Sequence, residues 1–285
     1  MLKQIPRTIV GGVSLPRILI GTNWFCGYSH RSNSADSMIR DKFMQGNNNP
    51  LNEIISAYLD YGVDAIMGLT QHHSHLLDSI KYAKDELNRE ITLIDTPSFN
   101  VDDNPLARKE AEDTIKQSAD HGAKFCLIHH STAEQLVNKN LSKMPRIEDY
   151  LDMIRQYGMI PGLSAHMPEL IVYADQNDYD VETYIQIYNP LGFLMQVEVE
   201  YIARVINEAK KPVMTIKPFA AGRCTPYVGL NFVLNTIREC DMVTMGVFNK
   251  YEVAEDMEIA FAALERRYPD LTGRSSPAKQ AAFGE

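Results

Sequence analysis

Residues 106–129 read LARKEAEDTIKQSADHGAKFCLIH, and this stretch contains one complete unit of the predicted fold. Its first part, 106–121, spaces apolar side chains at i, i+3, i+4 and i+7, as an amphipathic helix does. Gly122 follows directly, at the position where a left-handed glycine most often ends a helix. The apolar run 124–129 then predicts a buried strand. The stretch is therefore read as a helix followed by a strand.

The same alternation recurs along the chain. Helical patterns over 51–61 and 147–157 also end before a glycine, at Gly62 and Gly158. Strands are predicted at short apolar or β-branched runs, namely 17–24, 63–69, 91–96, 124–129, 160–165, 183–188, 212–217 and 242–247. Strict strand–helix alternation makes a parallel sheet, and eight units in a chain of 285 residues predict a single (β/α)₈ barrel, the TIM barrel.

The competing fold is an open, doubly wound sheet. Its first strand leads into a glycine-rich phosphate turn of the form GxGxxG, whereas residues 21–30 read GTNWFCGYSH. The barrel is therefore predicted as one domain over 1–268. Residues 25–49 form its first strand-to-helix connection, far longer than the usual ~2 to 6 residues, and are predicted to be a lid or binding loop. Residues 269–285 are predicted to be a polar tail. A homo-oligomer, in which this tail reaches a neighbouring subunit, is an open alternative.

Composition narrows the class of protein. Hydrophobic residues make up 45% and charged residues 23%, as in globular proteins. No apolar run reaches the ~18 to 20 residues of a membrane span, and the N-terminus has no apolar signal core, so a cytoplasmic protein is expected. The formal charge of −9 makes nucleic acid and anionic membranes poor partners. A small-molecule substrate is the expected partner.

Polar side chains concentrate where the predicted strands end, which is where TIM barrels build their active sites. Seven of the eight histidines fall there, and only His121 lies elsewhere. Histidine is the commonest metal ligand and the usual acid–base residue near neutral pH. Strand alternation favours His166 facing inward, and only one member of each dipeptide 72–73 and 129–130 is expected to do so.

The sequence predicts a metal site from these residues. The ligands would be His73, Asp95, His130 and His166, which follow four neighbouring strands, and the ion would be divalent zinc, manganese or iron. A network of neutral histidines that binds a substrate without metal is the alternative. No HExxH or CxxC motif supplies a local ligand pair.

Two further groups complete the predicted site. Lys217 ends the seventh predicted strand, in phase with residues 213 and 215, and can hold an anion or form a Schiff base. Gly222, Arg223 and Gly246 belong to the connections after the seventh and eighth strands, the usual phosphate-binding place of this fold. Cys26, as a candidate nucleophile, is a further candidate catalytic residue in addition to Lys217 and His166.

Residues 212–264 also resemble the last two units of aldo-keto reductases, through PVMTIKPFAAGR and MVTMGVFNKYEVAEDMEIAFAAL, and RILIGTNW (17–24) is faintly similar to that family's first strand. The resemblance implies the same barrel and an NAD(P)H cofactor held near Lys217, Gly222, Arg223 and Gly246. The family's catalytic aspartate and tyrosine after the second strand, and its lysine on the third, are not matched by GLTQHHSH (68–75) and IDTPSF (94–99).

The main hypothesis is a metal-assisted lyase, isomerase or hydrolase acting on a small polar metabolite that is phosphorylated or carries a carbonyl. Lys217, His166 and Cys26 would be its catalytic residues. One alternative is an NAD(P)H-dependent reductase similar to the aldo-keto reductases. The other is a barrel that binds a metabolite without turnover.

Overall fold

The computed structural model describes residues 2–45 and 49–271. Its strands in chain order are β1 (Arg7–Val10), β2 (Val13–Pro16), β3 (Ile18–Gly21), β4 (Ala65–Gly68), β5 (Thr92–Asp95), β6 (Phe125–Ile128), β7 (Ile160–Ala165), β8 (Thr183–Ile187), β9 (Val213–Ile216) and β10 (Met242–Met245). Strands β3 to β10 pair in parallel in sequence order, and β10 closes on β3. The (β/α)₈ barrel and its eight strands are confirmed.

Helices cover the outside of the barrel. They are α1 (Asn33–Phe43), α2 (Asn49–Asp60), α3 (Ser74–Leu87), α4 (Pro105–Asp120), α5 (His130–Ala133), α6 (Ile147–Gln156), α7 (Glu169–Gln176), α8 (Val199–Glu208), α9 (Pro226–Thr236) and α10 (Lys250–Glu265). Gly62, Gly122 and Gly158 have φ values of 75°, 80° and 77°, so each glycine supplies the left-handed turn expected after its helix. No helix of the described ranges is long and apolar enough to span a membrane.

The core has two layers, one inside the barrel and one between strands and helices. The inner layer contains Leu19, Ala65, Met67, Ile94, Phe125, Leu127, Ile160, Ile185, Met214 and Met242. Successive strand residues face opposite layers, so this set gives the inward phase of each strand. Asp95 and Cys126 are therefore on outward-facing positions of β5 and β6.

Strands β1 and β2 form an antiparallel hairpin that the sequence analysis missed. Val10 and Leu15 of this hairpin pack into the inner layer of the core, next to Ile160. The turn is Gly11-Gly12, and both glycines have positive φ (52° and 81°), as a two-residue type I′ turn requires. A glycine pair between two apolar stretches was the signal that could have predicted it.

The connection after β3 differs from the long loop that was predicted over 25–49. It contains helix α1, which begins after the N-cap Ser32, whose side chain accepts a hydrogen bond from the Ala35 amide. The buried side chains of Ile39 and Phe43 anchor this helix to the core. Residues 46–48 of the connection, and 272–285 of the predicted tail, lie outside the described residues.

Candidate active site

A cavity of about 400 Å³ lies at the carboxyl ends of the barrel strands, and we call it the barrel-mouth cavity. Its apolar floor includes Met67, Ile185 and Ile216. Its polar lining comes from the strand ends and the connections that follow them: Thr22, Asn23, Trp24, Cys26, Tyr28, His30, His73, Thr96, His129, His130, Ser164, His166, Lys217 and Thr244. The predicted end of the barrel therefore does carry the polar site.

Lys217 reaches this cavity by a different route from the predicted one. The prediction placed residues 213, 215 and 217 on the inward phase of the strand, but Met214 is in the inner core and Val213 in the outer core. Lys217 has φ 60°, a left-handed conformation that lysine adopts only at a cost. The backbone turn directly after β9 is what brings its side chain over the barrel mouth.

The ammonium group of Lys217 lies beside the imidazole of His30. Lys217 Nζ donates to His30 Nε2 at 3.2 Å, and Asn23 Nδ2 lies 3.0 Å from the same nitrogen. Burial lowers the pKa of Lys217 to about 8. Burial, and then the Lys217 charge, lower the pKa of His30, so the imidazole stays neutral and accepts the hydrogen bond.

Three imidazoles pack against one another in the lining of this cavity. The rings of His130 and His166 are 3.8 Å apart and nearly parallel, at 14°, and His129 lies 4.2 Å from His130. His129 Nδ1 accepts from the Ser131 amide and caps α5. The expectation that only one of residues 129 and 130 faces the cavity is wrong, because the strand ends and α5 begins between them.

Each of these histidines is held neutral. Burial, followed by the charges of His130 and Lys217, lowers the pKa of His166 to about 3 and that of His129 to about 4. Burial also lowers the pKa of His130, and its only carboxylate neighbour among the described residues is Glu134, whose Oε2 is 4.0 Å from Nδ1. Glu134 Oε1 accepts from the backbone amides of His166 and Met167.

We expect acid to destabilise the fold through these imidazoles. The unfolded chain binds protons at a histidine pKa of ~6.5, whereas folded His129 and His166 bind them only near 4 and 3. The unfolded state therefore holds more protons below pH ~6.5, and the free energy of unfolding falls as pH falls toward 4, by about 2 to 4 kcal/mol. Urea denaturation at several pH values measures this.

The double variant His129→Asn with His166→Asn should show a smaller loss of stability between pH 6.5 and pH 4 than the parent protein. His72→Asn is the matched control, because His72 is exposed and outside the cavity lining. Equal pH dependence in all three proteins would contradict the neutral state of the buried imidazoles.

His73 lines the cavity, as the sequence favoured, and its neighbour His72 does not. Burial and the neighbouring His75 lower the pKa of His73. Its Nδ1 atom is buried, with no hydrogen-bond partner among the described residues. A buried polar atom without a partner costs free energy, so this nitrogen is available to a ligand in the cavity.

Asp95 is not in this cavity. Its carboxylate is fully buried on the outward side of β5 and accepts hydrogen bonds from the Thr70 amide, the Thr70 hydroxyl and the Thr96 amide. The Thr70 hydroxyl also contacts His121 Nδ1 at 2.9 Å. Asp95 therefore holds the backbone after β4 and β5 in place, and His121 belongs to this outer network.

The described residues do not form the predicted metal site. No group of three or more histidine, cysteine, aspartate or glutamate side chains in the described part of the chain is arranged to hold a metal ion. Asp95 faces away from His73, His130 and His166, and its oxygens already accept three hydrogen bonds. The close stacking of His130 and His166 places two rings face to face, which does not aim their nitrogens at one shared point.

Cys26 lines the cavity as a protonated thiol. It is 5% exposed, and burial raises its pKa to about 12. Because the thiolate is the nucleophile, this environment works against the predicted nucleophilic role.

A second cavity of about 400 Å³ adjoins the first, and we call it the side cavity. The two share a wall that contains Trp24, His30, Lys217, Thr244 and Gly246. The buried hydroxyl of Thr244 has no hydrogen-bond partner within residues 2–45 and 49–271. The lining of the side cavity also includes Gly222 and three acidic residues of α10, namely Glu252, Glu255 and Asp256.

The connection after β9 differs from the phosphate cradle that was predicted. The amides of Gly222, Arg223 and Cys224 donate to the Phe219 carbonyl, so they are used within the loop. The Arg223 guanidinium lies over the Phe193 ring at 4.0 Å and is not part of the side-cavity lining. Arg31, from the connection before α1, is the arginine that lines this cavity, and sequence reasoning missed it.

Solved structures share this architecture. A protein described as an aldo-keto reductase, from Pseudomona aeruginosa, superposes on this chain with a TM-score of 0.67. The two are 13% identical, and the superposition covers 92% of this chain and 97% of that one. The glycerol dehydrogenase from Gluconobacter oxydans gives 0.57 at 12%, over 95% and 98%. A dimeric archaeal Rubisco from Hyperthermus butylicus gives 0.51 at 11%, over 84% and 61%. At these identities the likeness shows the fold.

No protein-family model matches the sequence. No curated protein matches it either. The predicted likeness to aldo-keto reductase barrels is confirmed at the level of structure. The main hypothesis of a metal-assisted lyase, isomerase or hydrolase is therefore corrected, because the described residues contain no metal-ligand group and the solved structures of this fold include aldo-keto reductases.

Proposed function

We propose that the protein is a nicotinamide-dependent oxidoreductase that reduces the carbonyl group of a small metabolite. The observation that carries the proposal is the meeting of two cavities at Lys217. One cavity has histidines and Lys217 above an apolar floor, as suits a small substrate, and the other is an adjoining cavity that residues of α10 help to line. The aldo-keto reductases among the structural neighbours support the same reading.

The residues at the junction fit a dinucleotide. The orphaned Thr244 hydroxyl can pair with a carboxamide, and the Trp24 ring offers an aromatic wall beside Gly246. A Cβ added at Gly246 would lie 3.4 Å from Trp24 Cδ1, so the missing side chain leaves the groove open there. Arg31 provides a cation for a phosphate group. When bound, the reduced nicotinamide would supply the hydride.

Lys217 is the proposed proton donor to the carbonyl oxygen. A pKa of about 8 leaves the ammonium mostly protonated at neutral pH and still able to give up its proton. His30 Nε2, at 3.2 Å, accepts a hydrogen bond from the ammonium and would hold it in position for the transfer. The neutral imidazoles of His130 and His166 would bind and orient the substrate across the cavity.

Cofactor binding tests the proposal. Trp24 is the single tryptophan of the chain, so NADH entering the side cavity should quench the protein's tryptophan fluorescence and raise its melting temperature. We expect NADH to bind more tightly than NADPH, because the three carboxylates in the lining favour a ribose hydroxyl and repel an added phosphate.

The Trp24→Phe variant separates the two signals, since it should lose the quenching and keep the thermal shift. An absence of both signals at about millimolar cofactor would refute the proposed function. A clear preference for NADPH would leave the reductase standing and contradict the role given to the acidic residues of α10.

A further inference from the structure

Imidazole side chains and one ammonium group, but no carboxylate of the described residues, line the barrel-mouth cavity. Its lining includes five histidines and Lys217, and no aspartate or glutamate among the described residues. The chain as a whole has 37 acidic against 28 basic residues, so this composition is opposite to that of the protein. The side cavity, in contrast, is lined by three carboxylates. Arg31 and Lys217 also line the side cavity, so the barrel-mouth cavity differs from it in having no carboxylate in its described lining.

Lys217 and the neutral imidazoles of the barrel-mouth cavity face few carboxylates among the described residues. Burial is the largest cause that lowers the pKa of His166. Four neighbouring groups lower it further, namely His130, Lys217, His129 and His30. His130 faces Glu134 as well as Lys217. The Glu134 carboxylate already accepts two backbone amides, which leaves it little capacity to balance the imidazoles. His30 faces Lys217 and Arg223, with Asp36 as its acidic neighbour.

We propose that the substrate carries an anionic group, a carboxylate or a phosphate, which the stacked pair His130 and His166 binds in the cavity that Lys217 also lines. This inference rests on the proposed function for the reaction, and it adds the chemical class of the substrate. Imidazole N–H groups and the lysine ammonium are the donors that such oxygens need, and a charge-assisted hydrogen bond is stronger than a neutral one. The low-dielectric walls of the cavity strengthen the attraction further.

Proton uptake follows from this arrangement. An anion placed against His130 and His166 removes the repulsion that now disfavours imidazolium, so binding raises the proton affinity of the pair. The affinity for the anion must therefore increase as the pH is lowered, because protons and anion bind together. A cavity that bound only neutral molecules would show no such linkage.

Titration calorimetry with inorganic phosphate and with oxalate tests the anion site without any turnover. We expect binding to the parent protein, tighter at pH 6 than at pH 8, with protons taken up from the buffer. The variants His130→Asn and His166→Asn should each weaken binding by about tenfold or more. His72→Asn, an exposed histidine outside the cavity, should bind as the parent does. Circular dichroism verifies the fold of each variant.

Matched substrates complete the test in the presence of NADH. Pyruvate against methyl pyruvate, and glyceraldehyde 3-phosphate against glyceraldehyde, distinguish a carboxylate from a phosphate, and the charged member should have the higher kcat/KM. No anion binding, anion binding unchanged in both cavity variants, or equal use of neutral and charged substrates would each overturn the inference. Anion binding without cofactor binding would refute the proposed reductase and leave the anion site established.

Discussion

Replacing Lys217 by methionine is expected to lower kcat/KM for carbonyl reduction by about 10²- to 10⁴-fold, the usual contribution of a general acid. Methionine keeps the length of the side chain and removes the proton that Lys217 would deliver. The fluorescence and thermal responses to NADH should remain. The variant should be no less stable than the parent, because the lysine is buried and burial disfavours its charge.

The pH dependence of the activity is an independent test of Lys217 as the proton donor. The protonated lysine is the active form, so kcat/KM of the parent should fall as pH rises through about 8, the pKa of Lys217 in the free protein. The residual activity of Lys217→Met should lack this fall. Lys211→Met is the matched control, since Lys211 lies just before β9 at the opposite end of the barrel and pairs with Glu182. An unchanged kcat/KM in Lys217→Met would remove the lysine from the mechanism.

Replacing Asp241 by alanine is expected to cost about 3 to 5 kcal/mol of stability. The Asp241 carboxylate is fully buried before β10 and accepts hydrogen bonds from the Val213 amide and from the amide and guanidinium of Arg238. Arg17 donates to the carbonyls of Asp241 and Arg238. Removing the carboxylate leaves buried donors and a partly buried arginine without their partner.

Thermal and urea denaturation measure this loss, which corresponds to roughly 10 °C in melting temperature. Glu239→Gln is the control, because Glu239 is an exposed neighbour and its charge should matter little. The network lies at the amino-terminal end of the barrel, away from both cavities, so NADH binding by folded Asp241→Ala should match that of the parent. A loss below about 1 kcal/mol would show that the network is not needed for stability.

The sequence predicted the location of the site correctly, but it predicted only some of the side chains that line it. Histidines at strand ends pointed to the correct end of the barrel, and His73, His166, Lys217 and Gly246 do line its cavities. The alternation of side chains along a strand did not predict the orientation of side chains beyond the end of the strand. Lys217 enters through a left-handed turn, and His130 is already in a helix, so the period of two no longer decides where either side chain points.

Contacts between distant parts of the chain were beyond the sequence. Asp95 was predicted among the metal ligands because it ends a strand, yet Thr70 and Thr96 hold it on the outer side. Arg223 follows the expected glycine, but its guanidinium packs on Phe193, and Arg31 lines the side cavity in its place. No local pattern of residues indicates which of two distant arginines reaches a shared groove.

The sequence by itself determined the barrel, because the burial of apolar side chains follows the local repeat of strand and helix, and this repeat can be read residue by residue. Only the tertiary structure decided the chemistry. Closing β10 on β3 brings Lys217 to His30 across 187 positions of sequence and stacks His130 on His166. The direction of a side chain at a strand end depends on backbone turns and on packing between distant segments, and these arise only when the barrel closes.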